Sequence, residues 1–150
     1  MKLAQALSQR ADLKKRIDQL ESRLIQNAKV QEGEAPAEEP AQLMKELQGA
    51  LRQMEELISR INLTNAATRT ADGTLTELLA RRDCMMLEVG ILRSFLQSAS
   101  STVSRGMRTE IRILSTVNVQ QEQKKLDSLS AQLRELDETI QSLNWTTELL

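Results

Sequence analysis

The sequence has 150 residues, 20 basic and 21 acidic side chains, a net charge of −1, no His and only 1% aromatic residues. That length fits a single domain spanning 1–150 with a core of Leu, Ile, Met, Val and Ala, and the interspersed charges supply no field that would steer it to nucleic acid. The absence of His removes the commonest general base and the commonest metal ligand, so no enzyme, no metal and no cofactor are expected.

Cys84 is the single cysteine, which predicts a reducing, cytoplasmic setting. Polar Gln5, Ser8, Gln9 and Arg10 interrupt the N-terminus before a signal-peptide core is reached, and no run of about 20 apolar residues exists to span a membrane. A membrane partner is therefore disfavoured.

A helix is predicted over about 2–29, where Leu3, Ala6, Arg10, Leu13, Ile17, Leu20, Leu24 and Asn27 alternate in steps of three and four, the seam of a coiled-coil-like helix. The polar seam residues Arg10 and Asn27 are expected to reach solvent or fix register. Around residues 30–42, Gly33, Pro36, Pro40 and the acids Glu32, Glu34, Glu38 and Glu39 predict a solvated acidic connection.

The second helix, about 41–66, carries the seam Leu43, Leu47, Ala50, Met54, Leu57 and Ile61, widened by Met44, Leu51 and Ile58, which predicts contact with more than one neighbour. Its end is rich in small polar side chains before an Asp72-Gly73 turn. Asn62, Thr64, Asn65, Thr68 and Arg69, with Arg81 and Arg82 further on, form a candidate polar site. The alternative is a helix end satisfying its own backbone groups.

Thr74-Leu75-Thr76-Glu77 reads as a capping box opening a third helix over about 75–100. Its seam is Leu75, Leu78, Met85, Val89, Leu92, Leu96 and Ala99, with Arg82 on it either seeking a carboxylate or snorkelling out. A second apolar line, Cys84, Leu87, Ile91 and Phe95, falls on the far side, where a two-layer bundle would carry charge. Gly90 beside it is expected to admit a close backbone approach.

Over about 102–117 the period changes. Ile111, Ile113, Val117 and Val119 alternate as in a strand that pairs within the chain or with another copy. Asn118 then starts a fourth helix, about 119–144, seamed by Leu126, Leu129, Leu133, Leu136, Ile140 and Leu143. The fold expected is mainly α, an antiparallel four-helix coiled-coil-like bundle with a short β-strand or hairpin between its third and fourth helices.

Several phrases carry a resemblance: Lys2-Leu3-Ala4, Arg10-Ala11-Asp12-Leu13, Asn27-Ala28-Lys29-Val30, the stretches 62–66 and 75–83, and Asn144-Trp145-Thr146-Thr147-Glu148-Leu149. Together they resemble a family of short, uncharacterised bacterial helical proteins, some of them labelled septicolysin. The resemblance spans nearly the whole chain and implies a bacterial source and a mostly helical fold. The label suggests a membrane-active or pore-forming toxin.

From the residues themselves the expected function is a non-enzymatic homo-oligomer that presents a surface to another protein. Its predicted interface is Cys84, Leu87, Gly90, Ile91, Phe95, Ile111, Ile113 and Val117.

Overall fold

The computed structural model describes residues 1–102 and 111–150. The protein is mainly helical, with α1 Leu3–Gln26, α2 Pro40–Ala67, α3 Leu75–Ser100 and α4 Val119–Thr146, and two short strands, β1 Arg69–Thr70 and β2 Gly73–Thr74, between α2 and α3. The helix bounds read from the heptad pattern agree to within a few residues. The chain divides into two compact units, Met1–Leu75 with Ser142–Leu150, and Thr76–Gln141.

In the first unit α1 and α2 pack through Leu20, Leu43 and Ala50, with Ile17, Leu24 and Leu47 against them. These are seam residues, and burying one stripe of each helix is what three-and-four spacing achieves. Pro40 opens α2, where its missing N–H leaves no bond unmade. Arg10 is exposed, as expected. Asn27 caps α1 instead: its amide nitrogen donates to the Arg23 carbonyl at 2.9 Å and its side-chain oxygen accepts the Glu38 N–H at 3.0 Å. Glu38 also takes a two-pronged bond from the Arg23 guanidinium, with Nε to Oε2 at 2.9 Å. The acidic connection is thus anchored at Glu38, while Glu32, Glu34 and Glu39 are solvated.

Two expectations for α2 need correction. Met44, Leu51 and Ile58 are exposed and meet no second neighbour among the described residues, because the narrower seam alone faces α1. The helix is also followed by an antiparallel hairpin that periodicity did not reveal, with Arg69 opposite Thr74 and Thr70 opposite Gly73. The Thr70 hydroxyl donates to the Gly73 carbonyl at 2.8 Å and accepts the Asp72 N–H at 3.2 Å. Gly73 has φ +124°, a region that side chains disfavour, so the predicted Asp72-Gly73 turn stands.

In the second unit Val89, Leu96 and Leu126 form the core, with Leu92, Leu129 and Leu133 packed on it. The α3 seam is therefore the buried one. Asn118 caps α4, its side-chain oxygen accepting the Gln121 N–H at 3.1 Å.

The predicted strand is a correction. Residues 111–117 form no strand, and residues 103–110 of the predicted β segment fall outside the described residues. The later half of this stretch bonds locally: the Ser115 hydroxyl donates to the Val117 carbonyl at 3.0 Å, and Asn118 serves the helix behind it. Such side-chain bonds offer the backbone an alternative to a sheet ladder. β-branched alternation supplies propensity, but a strand also needs an edge to pair with.

Candidate interaction surface

At 100° per residue, burying Leu78, Val89 and Leu96 turns Cys84, Leu87, Ile91 and Phe95 to the opposite side of α3. Among the described residues nothing covers them: Leu87 and Ile91 are each 67% exposed, Phe95 is 44% exposed, and Cys84 is exposed with its thiol free. Polar residues normally occupy this side of a packed helix. A Cβ built on Gly90 would meet no atom within 4 Å, so among the described residues no backbone of this chain makes the close approach expected there.

The other predicted interface residues lie in the connection before α4. Ile111 is 79% exposed, Leu114 beside it 75%, Ile113 is exposed, and Val117 is half-buried. Among the described residues the second unit therefore carries two groups of exposed apolar side chains, one on α3 and one on an irregular segment.

The candidate polar group sorts differently. Thr64 is 1% exposed; its hydroxyl donates to the Arg60 carbonyl at 2.8 Å and accepts the Leu150 N–H at 3.0 Å. The Thr68 hydroxyl donates to the Thr64 carbonyl at 2.8 Å, and the Thr68 carbonyl accepts the Leu75 N–H at 2.9 Å. These threonines close the end of α2 and hold the C-terminal residues, which is the structural alternative weighed from the sequence. Asn62 and Arg69 are exposed and Asn65 is half-buried. Arg81 and Arg82 belong to the second unit, where Arg82 pairs with Asp83 at 2.9 Å and Asp137 at 3.8 Å. Arg82 has thus found carboxylates. It borders a shallow groove of about 370 Å³ floored by Met86 and Leu133 and edged by Arg134, Asp137 and Glu138.

Sequence reasoning missed the clasp between the two ends of the described chain. The Leu3 N–H donates to the Thr147 carbonyl at 2.9 Å, the Leu149 N–H donates to the Met1 carbonyl at 2.8 Å, and Lys2 pairs with Glu148 at 2.8 Å. Hydrogen bonds from Lys2 and then from the N-terminal ammonium hold the Glu148 carboxyl below its ordinary value. No periodic signal announces a contact between residues so far apart. Among the described residues, no helix is long and apolar enough to cross a membrane.

No curated protein matches the chain. A crystal structure of a functionally unknown conserved protein from Corynebacterium diphtheriae is similar at a TM-score of 0.93 and 36% sequence identity, covering 100% of this chain and 99% of that one. The model of a family of unknown function matches residues 10–149. The expectation of an uncharacterised helical family therefore holds, while neither description carries the septicolysin label. The chain belongs to the family of unknown function DUF6847.

Proposed function

We propose that this protein is a non-enzymatic, self-associating helical protein that, once assembled, presents a surface to a protein partner. The observation that carries the reading is the second face of α3, where Leu87, Ile91 and Phe95 stand uncovered on a helix whose first face is already buried. Contiguous exposed apolar side chains on an ordered helix mark a surface that another molecule covers. A non-enzymatic role agrees with the lack of His, which leaves the lone Cys84 without the usual imidazole to activate it. A cytoplasmic setting agrees with that free thiol.

The septicolysin label would instead place this face against lipid. Asp83, Glu88 and Arg81 adjoin the face and Asp83 is paired with Arg82, so the face lacks the strongly cationic side that draws an amphipathic helix to an anionic bilayer. That balance of charge favours a protein over a membrane.

Light scattering behind a sizing column tests the reading. The expected mass is a fixed multiple of 16.9 kDa, and Ile91→Asp is expected to return it to the monomer with most helical content retained, because a charge enters a surface buried only on assembly. A wild-type monomer that releases dye from liposomes would overturn the reading in favour of the membrane-active one. A monomer that leaves liposomes intact would overturn it outright.

A further inference from the structure

The second unit holds an apolar face and an apolar run that do not cover one another. Leu87, Ile91 and Phe95 stay exposed on α3 while Ile111 and Leu114 stay exposed in the connection before α4. All of these residues belong to the one compact unit, yet both groups stay exposed, so the described run does not cover the face of its own chain. The charges are complementary: Arg112 is exposed within the run, and Glu88 is exposed beside Leu87 at the edge of the face.

Size argues in the same direction. Each partner in a lasting dimer buries roughly 800 Å². Three side chains, even at the roughly 250 Å² that the largest aromatic ones bury, do not reach that area by themselves.

We propose that residues 111–114 of one copy pack on the exposed α3 face of a second copy, and that the exchange is reciprocal about a two-fold axis. This rests on the self-association reading above and names the surfaces that meet. Reciprocity brings the face and the run of both copies into the contact, and a two-fold arrangement closes the assembly at two chains instead of extending it into a filament. Arg112 of each copy then lies near Glu88 of the other, which fixes register more than it adds affinity.

Native Cys84 makes the exchange measurable, because it lies on the α3 face and is exposed. A disulfide forms only between cysteines whose Cα atoms come within about 7 Å. Ile113→Cys and, as a second variant should the first misfold, Leu114→Cys are oxidised with diamide and run on a non-reducing gel. The expected product is a covalent dimer that disappears when Cys84→Ser is added. In the same proteins, sizing is expected to show that Arg112→Glu weakens assembly about tenfold and that Glu88→Arg, added to it, restores it.

A covalent dimer in the wild-type chain would mean that α3 faces pair directly; it would overturn the exchange and leave self-association standing. So would a wild-type dimer in which neither engineered cysteine crosslinks. A disulfide within one chain would return the run to its own α3 and overturn the exchange. A monomeric wild-type chain would overturn both this proposal and the reading on which it rests.

Discussion

In the first unit, side chains close the ends of the helices: Asn27 and the Arg23–Glu38 pair tie α1 to the start of α2, Thr64 and Thr68 finish α2, and Glu148 gathers Lys2. In the second, the helix that supplies Val89 and Leu96 to the core also turns Leu87, Ile91 and Phe95 to solvent. α1 has one apolar stripe and satisfies it within the chain. α3 has two and satisfies one. Between α1 and α3 the contrast separates what holds the chain together from what is left available to another molecule, on helices of similar length built from the same side-chain types; α2 lies between the two cases, with a buried seam and Met44, Leu51 and Ile58 exposed beside it.

The largest effect that would test this contrast comes from comparing the two kinds of leucine. Leu43→Ala, in the α1–α2 core, is expected to cost about 2 to 5 kcal/mol in urea unfolding. Leu87→Ala on the exposed face is expected to stay within about 0.5 kcal/mol under conditions where the chain is monomeric. Equal losses would show that the α3 face is buried inside the folded chain, and the contrast would fail.

Thr64→Val comes next. It removes a buried hydroxyl that bonds Arg60 and Leu150, and the expected loss is about 1 to 2 kcal/mol. Because Thr64 is the buried polar residue among the described side chains of the core, a neutral outcome would mean that the clasp to residues 1–3 holds the C-terminal residues without its help.

Gly90→Ala is expected to stabilise the monomer by about 0.5 to 1 kcal/mol, since the position is helical and a Cβ there meets open space. If the same variant weakens assembly in a sizing experiment, another copy's backbone approaches at Gly90, the close contact expected from the sequence but absent within one chain.

The smallest effect is electrostatic. The hydrogen bond from Arg23 holds the Glu38 carboxyl below its ordinary value of 4.5, and Glu148 is shifted in the same direction. A carboxylate with a lowered value in the folded state contributes its stability above the unfolded value and loses it as the pH falls through the folded one. Melting temperatures recorded downwards from pH 4.5 are therefore expected to fall more steeply for the wild-type chain than for Glu38→Gln combined with Glu148→Gln. Parallel curves would show that both pairs are fully screened by solvent.

The helices were legible because burial along each repeats every three or four residues, a signal that accumulates over α3 until its bounds match 75–100. The second line of apolar residues on α3 was legible in the same way, since a surplus of Leu, Ile and Phe at helical spacing is visible wherever it ends up. Whether Met44, Leu51 and Ile58 are covered was not legible, because a wide stripe says nothing about how many neighbours exist. The β1–β2 hairpin has two residues per strand, too few for any period. At residues 111–117 the alternation was real, but it described the side chains and not a partner edge. Of the polar candidates, Thr64 and Thr68 needed the structure to show that their hydroxyls are fully engaged by backbone.

The clasp between residues 1–3 and 147–149 has a consequence for the order in which the chain forms. Closing a loop costs entropy that grows with the logarithm of its length, and these bonds join residues separated by almost the entire chain. The α1–α2 hairpin closes over a much shorter span and can assemble from local contacts. The clasp is therefore the last part of the first unit to zip and the first to open. In hydrogen exchange the amides of Leu3 and Leu149 would report that fraying before those at the centre of α1, although Leu3 is fully buried in the closed chain.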